Sequence, residues 1–484
     1  MSARTRELMG LIPVSLLVSA GFAAVLLTRT EDVSDATATY GLVFLGLCVF
    51  AHLFIRWRLP DADPYLFPLA ALLAAFGLVM LYRIDAGKAG GQALVFGLGL
   101  IAFVAVILLL RDVHALERYR YTIAAVGIAL LVMPRLPGIG SRVNGAYLGI
   151  EVGPLSFQPA EFAKIAIIVF LASYLRDTGD VLVRARLRPL PYIQQALLFV
   201  LPAVAVLLIA LALGLGPAVT VLLVVFTVSI AAVMRERPSL KHFGPLLLVW
   251  GVAMFMLLFI RDLGSSLMFF GGFLALLYVA TARLSLVGVG ATMFLGGATY
   301  FASTVNHVQQ RIEVWQDPFD RELYDSVGGS YQIAQSLFAQ ADGGLFGQGF
   351  GQALLQLPSG QSILPAADTD LIYAVIADEL GLFGATGLLL TYLLFVSRGF
   401  KAGLVAGDGF SKLLATGLTA VFALQVFVIV GGVTKVIPLT GVTLPFVSYG
   451  GSSIVANMVL LALLLIVSDH ARKDRGRMEQ GGLV

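Results

Sequence analysis

Charged residues and cysteine are scarce in this chain of 484 residues. Only 13% of the residues are charged and 58% are hydrophobic, whereas soluble domains average about 25% charged and 45–50% apolar residues. A single cysteine, Cys48, excludes a disulfide framework and every cysteine-based metal site. The basic residues are scattered rather than gathered into one patch, so nothing favours nucleic acid as a partner. The composition instead predicts a chain that lies in a lipid bilayer.

Long apolar runs account for most of the sequence. If each spanning helix takes about 20 residues, fourteen of them use roughly 280 residues and leave no room for a large soluble domain. We therefore predict an all-α fold, a polytopic membrane helix bundle. The predicted spans lie near residues 8–28, 40–55, 65–82, 92–110, 121–134, 160–175, 191–213, 214–234, 242–260, 263–282, 286–302, 371–397, 413–433 and 447–468.

The distribution of lysine and arginine predicts the orientation of the bundle. An even number of spans puts both termini on the same side, and 22 of the 32 basic residues then fall on that side. Because cytoplasmic loops carry an excess of Lys and Arg, both termini are predicted to be cytoplasmic. No signal-peptide cleavage pattern precedes the first span, which is predicted to be retained.

The longest polar connection, about residues 302–369, is predicted to lie on the outer face. Apolar residues spaced i, i+4 near 331–338 predict a short interfacial helix with Gln332 and Ser336 on its polar flank. A glycine-rich stretch follows at 343–351, where tight backbone turns would let a ligand approach closely. The alternative interpretation is that this stretch is a flexible tether to the interfacial helix.

Two aspartates, Asp368 and Asp370, stand at the outer mouth of the apolar helix predicted at 371–397. Helix capping accounts for one of them, and a catalytic or ion-binding role is a hypothesis for Asp370, because ionisable groups at membrane depth are costly and tend to be functional. Two turns deeper, Glu379 precedes a predicted helix break at Gly381. A structural hydrogen bond and a functional role both remain open for Glu379.

Three further polar stretches interrupt the apolar sequence. In the first, Glu161 and Lys164 are spaced i, i+3, so they form either a self-compensating ion pair or a cavity site at which Lys164 meets an anion such as pyrophosphate. The second, Arg261 and Asp262, is a very short connection between two spans. The third is rich in small residues at 438–453 and is explained either by close helix packing or by close approach of a substrate.

Together these stretches resemble the SEDS family (shape, elongation, division and sporulation), the RodA/FtsW polytopic glycosyltransferases. Six motifs occur in the order found in that family. They are GPLSFQPAEFAK at 153–164, DLGS at 262–265, YQ to QS at 331–336, GGLFGQGFG at 343–351, TD to ELG at 369–381, and LPFVSYGGSS at 444–453.

The resemblance also implies a division of the chain into parts, with a ten-span core and about four extra spans. These parts are an N-terminal two-span extension at 1–64, the first half of the core at 65–188, an extra helical hairpin at 189–241, the remaining core spans with a long extracellular loop (303–369) at 242–470, and a cytoplasmic tail at 471–484.

The function implied by the resemblance is that of a peptidoglycan glycosyltransferase. It would polymerise lipid II into β-1,4-linked glycan strands at the outer face of the bacterial cytoplasmic membrane, for cell elongation, shape or division. Asp370 matches the family's essential aspartate, the proposed catalytic base. The substrate or cavity residues are predicted to be Glu161, Lys164, Arg142, Arg261, Asp262, Arg311, Gln332, Ser336, Glu379 and Ser448. No motif demands a metal, although a divalent cation, Mg²⁺ or Mn²⁺, could help to stabilise a leaving pyrophosphate.

The resemblance implies lipid II as donor and acceptor, membrane lipid as surroundings, and a class B penicillin-binding protein as a crosslinking partner. A lipid II flippase or other transporter is the main alternative, since charged residues and broken helices within spans also suit a transport path. Against a transporter, no motif recurs at corresponding positions of two halves. A polymerase of another lipid-linked sugar and a noncatalytic scaffold are further alternatives.

Overall fold

A computed structural model describes most of the chain. The residues described are 2–28, 35–110, 112–136, 140–143, 146–152, 155–183, 191–212, 214, 216–236, 251, 263–304, 306–326, 329–357 and 362–481. The predicted span at 242–260 therefore lies almost wholly outside the described residues, as do Arg261 and Asp262.

The predicted helix bundle is confirmed. The helices are α1 (Ala3–Thr28), α2 (Asp35–Arg58), α3 (Leu66–Ile84), α4 (Ala86–Leu109), α5 (His114–Arg118), α6 (Arg120–Val132), α7 (Pro159–Val183), α8 (Tyr192–Ala212), α9 (Pro217–Glu236), α10 (Leu263–Thr281), α11 (Leu284–Thr304), α12 (Asn306–Gln316), α13 (Arg321–Asp325), α14 (Tyr331–Gly343), α15 (Ile372–Val405), α16 (Gly409–Val433) and α17 (Gly451–Gly481).

Thirteen of the fourteen predicted spans coincide with described helices. Eight helices in the described part of the chain are long and apolar enough to cross a membrane, namely α1, α2, α3, α4, α10, α15, α16 and α17. The helices α8, α9 and α11 contain shorter apolar stretches. Two spans looked short in the sequence, and of these α6 has 13 residues whereas α7 extends to 25. The total of fourteen spans remains a prediction.

A small antiparallel sheet precedes α7 and was not anticipated by the all-α prediction. Its strands are β1 (Gly140–Val143), β2 (Ala146–Val152) and β3 (Leu155–Phe157), in the order β1-β2-β3. In this register Gly140 lies opposite Ile150, which lies opposite Phe157. Strands this short, each two residues from the next, give too few alternating positions for a period of two to stand out in the sequence.

The last helix, α17, is the centre of the bundle. Of its apolar window 83% is buried, against 28% for α1. It packs along α4 and also contacts α15, α7 and α16. Apolar side chains of α17 such as Leu461, Leu464 and Leu465 are completely buried. The peripheral α1 packs on α3.

A cluster of charged residues joins α1, α2, α15 and α17 at one end of the bundle. Asp63, in the connection between α2 and α3, accepts hydrogen bonds from Arg398 at 2.5 and 3.1 Å and from Arg472 at 2.5 Å. Glu7 of α1 pairs with Arg4 and with His52 of α2. Since α15 rises about 1.5 Å per residue, Arg398 lies about 25 Å along the helix from its break at Gly381, and Ile372 lies on the other side of that break. The polar residues that precede α15 therefore lie at the opposite end of the bundle.

Candidate active site

The connection between α16 and α17, called the 438–453 segment here, is the framework of the site. It contains little regular structure and is held by its own polar groups: the Ser448 hydroxyl accepts from Leu444 N at 2.9 Å and donates to Thr369 O at 2.7 Å. The Tyr449 N–H donates to Asp368 O at 2.8 Å. Ser448, a predicted site residue, thus fixes the backbone of the aspartate-bearing loop rather than facing an open cavity.

Asp370 lies against this segment just before α15. A Cβ built on Gly441 would be 3.5 Å from Asp370 Oδ2. Among the residues that the structure describes, none donates a hydrogen bond to the Asp370 carboxylate or forms an ion pair with it within 4.0 Å. Two other carboxylates at this end of the bundle have partners, Asp368 with Lys88 and Glu379 with Arg83. The buried Asp378 of α15 also has no described hydrogen-bond partner at its Oδ1. Asp370 is therefore available to accept a proton from another molecule.

The surroundings of Asp370 make its carboxylate a stronger base than usual. Burial is the largest influence on its pKa, the positive charge of Arg311 opposes it, and the negative charge of Asp368 adds to it. The net effect raises the pKa of Asp370 from 3.8 to about 6. A general base works best when its pKa lies near the working pH, so this shift suits proton abstraction at neutral pH.

The interpretation that helix capping accounts for one of the two aspartates is wrong. Leu371 is the N-cap of α15, and no side chain caps that helix end. Asp368 instead accepts a hydrogen bond from Lys88 Nζ at 2.7 Å. Since neither aspartate is used to terminate the helix, the reason for their presence must be sought in the site itself.

Arg311 reaches the site from α12, in the long connection between α11 and α15. Its Nη1 donates to Leu439 O at 2.8 Å, and its charge acts on Asp370. A guanidinium has five N–H donors, so this contact leaves donors for an anion. The sequence predicted Arg311 as a substrate residue, and the structure brings it to the same segment as Asp370.

The beginning of α10 also meets the 438–453 segment. A Cβ on Gly264 would lie only 2.3 Å from Val442 Cγ2 and 3.0 Å from Thr440 Cβ. Only glycine permits this approach. The motif that includes Asp262 and Gly264 is thereby adjacent to the Asp370 environment, although Asp262 and Arg261 themselves lie outside the described residues. The side chain of Arg142 is also outside the described part, and its backbone belongs to β1.

Glu161 and Lys164 form the ion pair predicted from their spacing. Lys164 Nζ lies 2.5 Å from Glu161 Oε2 and donates to Gln425 Oε1 at 2.7 Å. Gln425 Nε2 in turn donates to Thr443 O at 2.9 Å. Lys164 is 3% exposed, and its charge is compensated by Glu161. Through the hydrogen bonds of Gln425, Lys164 is also connected to the 438–453 segment.

The glycine-rich stretch at 343–351 packs against a break in α15. Gly381 has a φ of 63° and interrupts the helix, which frees backbone groups on both sides of it. Gln348 N donates to Asp378 O at 2.8 Å, and Leu382 N donates to Gly344 O at 2.9 Å. A Cβ on Gly347 would lie 2.1 Å from Glu379 O. The close approach that these glycines permit is made to the protein's own helix, so the stretch is not a loose tether.

Glu379 fastens the same stretch with its side chain. One oxygen accepts from Gly351 N at 3.0 Å, and the other lies 3.0 Å from Arg83 Nη2. Arg83 also donates to Gly351 O at 2.7 Å and to Ala353 O at 3.1 Å. Of the two roles left open for Glu379, these contacts favour the structural hydrogen bond.

The predicted interfacial helix is α14, and one of its polar residues is not on an exposed flank. Ser336 is completely buried and donates to Val433 O at 3.1 Å. Gln332 is half-buried on the same helix. This correction follows from the contact of α14 with the end of α16, which covers the side of α14 that carries Ser336.

Sequence reasoning missed four polar residues that support the site: Arg83, Lys88, Gln92 and Gln425. Gln92 Nε2 donates to Ser448 O at 2.9 Å, and its Oε1 accepts from Gly450 N. Lys88 and Gln92 are spaced i, i+4 on α4, so they form a polar stripe on an otherwise apolar helix. Gln425 is an isolated amide inside a span. Both patterns were available as signals, because polar groups within spans are costly to bury.

No cluster of three or more histidine, cysteine, aspartate or glutamate side chains that could hold a metal occurs within the described residues. Asp262 is not among them. A divalent cation at the site therefore stays a prediction.

Comparison with known proteins identifies the class of membrane protein that this bundle represents. The family model described as a cell cycle protein of the FtsW, RodA and SpoVE type matches residues 64–236 and 221–473. The chain belongs to the FtsW/RodA/SpoVE family.

Relatives support this membership over almost the whole chain. The peptidoglycan glycosyltransferase RodA of Mycobacterium tuberculosis (strain ATCC 25618 / H37Rv) is 36% identical over 482 residues, which cover 97% of this chain and 91% of the relative. The protein of the same name from Mycobacterium leprae (strain TN) is 37% identical over 477 residues, 94% of this chain and 90% of the relative. A structure titled as a peptidoglycan synthase complex that coordinates polymerization and crosslinking has the same fold, with a TM-score of 0.57 and 24% identity over 85% of this chain and 98% of that chain.

Proposed function

We propose that this chain is a peptidoglycan glycosyltransferase that polymerises lipid II, with Asp370 as its general base. The observation that carries the proposal is a half-buried carboxylate without a partner among the described residues, held on a braced loop beside Arg311. The names of its relatives, which match almost the full length, support the same reaction.

In the proposed reaction, two lipid-linked saccharides meet at the outer end of the bundle. The 4-hydroxyl oxygen of the acceptor's GlcNAc attacks C1 of the donor's MurNAc and transfers its proton to the Asp370 carboxylate. The C1–O bond to undecaprenyl pyrophosphate breaks, and the electron pair leaves with the pyrophosphate. Displacement from the opposite face converts the α-linked pyrophosphate into a β-1,4 glycosidic bond.

General-base catalysis contributes about 10²–10⁴-fold, so positioning and stabilisation of the leaving pyrophosphate must supply the rest. Arg311 is the best candidate for contact with that anion, because it is half-buried beside Asp370 and retains free donors. Lys164 has a different part in the proposal: through Gln425 it holds the 438–453 segment. Arg142, Arg261, Asp262 and Gln332 remain candidates for contacts with the saccharides.

We place this end of the bundle at the outer face of the bacterial cytoplasmic membrane. The charged cluster around Asp63 would then be cytoplasmic together with both termini, in agreement with the excess of Lys and Arg on that side. A class B penicillin-binding protein is the proposed partner. The structural relative titled as a complex that coordinates polymerization and crosslinking supports this choice.

The test is to incubate the purified protein with labelled lipid II and to separate the products on a gel. Glycan chains made by the wild type and lost in Asp370→Asn support the proposal. Asp342→Asn is a matched control, because Asp342 is an exposed acid at the same end. Transfer of labelled lipid II across vesicles without chains would instead indicate the transporter alternative. Neither chains nor transfer would indicate a scaffold or a different donor.

A further inference from the structure

The ion pair between Lys88 and Asp368 has no part in the mechanism above, although it lies beside the proposed base. Lys88 Nζ lies 2.7 Å from Asp368 Oδ2. The Lys88 side chain is 42% exposed and that of Asp368 only 13%. Lys88 is held at the start of α4, where the Asp85 carboxylate accepts from the backbone N–H groups of Gly87 and Lys88. The ammonium also faces the Tyr449 ring, 6.0 Å from its centroid.

Hydrogen bonds brace the backbone of the loop that carries the two aspartates. Tyr449 N donates to Asp368 O, and the Ser448 hydroxyl donates to Thr369 O. Thr369 N and Leu371 N both donate to Ala366 O, and Ala366 has a positive φ of 54°. These contacts hold the backbone of Asp368 close to that of Asp370.

We propose that Lys88 is a positioning residue that acts through Asp368: it compensates the charge of Asp368 and thereby sets the electrostatic environment of the Asp370 carboxylate. This inference rests on the proposed role of Asp370. Lys88 itself does not touch the Asp370 carboxylate in any described contact.

The other charged groups around Asp370 determine how Lys88 can affect the ionisation of its carboxyl group. From α12, Arg311 acts on Asp370 with a positive charge, and from the same loop Asp368 acts with a negative one. The 438–453 segment contributes Tyr449 as its only titratable residue. At the beginning of α10, Arg261 and Asp262 lie outside the described residues. Asp368 is thus the described group that opposes ionisation of Asp370, and Lys88 is the cation paired with it.

The test compares the acidic limb of the pH profile of kcat/KM in four variants, each normalised to its own plateau. Lys88→Met leaves the charge of Asp368 uncompensated, so its limb moves to higher pH by about half a unit to one unit. Asp368→Asn removes the negative charge, so its limb moves to lower pH. The double variant lies between the two single variants, and Lys88→Arg, which keeps the pair, stays at the wild-type position.

A second measurement does not depend on activity. Dicyclohexylcarbodiimide modifies protonated carboxyl groups, so labelling at a series of pH values, followed by fragment-ion mass spectrometry that assigns the label to Asp370 and not to Asp368, reports the protonation of Asp370. The labelling midpoint should move upward in Lys88→Met and downward in Asp368→Asn. Midpoints that coincide with the wild type, or that move in the same direction, overturn the inference. If these midpoints move as expected while lipid II is not polymerised, the proposed function fails and the electrostatic inference stands.

Discussion

The raised pKa of Asp370 predicts an unusual dependence of turnover on pH. With a pKa of about 6, the carboxyl is about 90% ionised at pH 7, about 50% at pH 6 and about 10% at pH 5. An aspartate with the ordinary value of 3.8 would still be about 94% ionised at pH 5. Because a general base must be ionised to accept a proton, kcat/KM should fall about tenfold between pH 8 and pH 5.

Substitution of Arg311 tests whether Asp370 causes this fall of kcat/KM at acidic pH, called the acidic limb. The positive charge of Arg311 favours the ionised form of Asp370, so Arg311→Gln should raise the pKa and move the limb to higher pH by up to about one unit. The assay is the initial rate of lipid II polymerisation at limiting substrate from pH 4.5 to pH 8. Asp342→Asn serves as the control and should keep the wild-type limb.

Two results would refute this reasoning. A wild-type rate that is flat from pH 8 to pH 5 would mean that the titrating base is not Asp370 as this structure surrounds it. A limb that moves to lower pH in Arg311→Gln would mean that the guanidinium does not stabilise the ionised carboxylate.

Further predictions concern stability. The raised pKa of Asp370 means that the folded state binds its proton more tightly than the unfolded state; its contribution to stability is complete below pH 3.8 and is lost as the pH rises through about 6. Asp370→Asn should therefore be more stable than the wild type at pH 7.5, by at most about 3 kcal/mol, and a thermal midpoint that is lower at this pH would contradict the assignment. Glu379→Gln should lower the free energy of unfolding by about 1–3 kcal/mol, because it removes the carboxylate charge that faces the half-buried Arg83; an unchanged thermal midpoint in detergent would show that the pair is not formed. Gly347→Ala should release the glycine-rich stretch, seen as faster limited proteolysis there, whereas Gly387→Ala, with open space around its Cβ, should not.

The membrane helices were predictable from the sequence because the bilayer imposes long apolar runs with polar ends. Other features follow from local patterns as well: a glycine within an apolar run predicted the break at Gly381, and the i, i+3 spacing predicted the pair of Glu161 with Lys164. The sheet at 140–157 was missed, since its strands are short and depend on each other for their hydrogen bonds. A sheet of this kind leaves no local sequence pattern as clear as the apolar run of a membrane-spanning helix.

The candidate site was predictable only in part, because its contacts join residues far apart in the chain. The motif at 343–351 was read as a place for a ligand, whereas its glycines accommodate the backbone of α15, which the sequence cannot bring to them. Lys88 and Asp368 are 280 residues apart, so Asp368 was explained by helix capping, the nearest local cause. Asp370 became a candidate from its position in the sequence, but its lack of a described partner emerged only from the structure.

The most direct test of the central claim is the rate of lipid II polymerisation by Asp370→Asn relative to the wild type at pH 7.5. Loss of a general base should reduce this rate by at least about 100-fold, in a protein whose thermal midpoint is not lowered. Turnover close to that of the wild type would contradict the account.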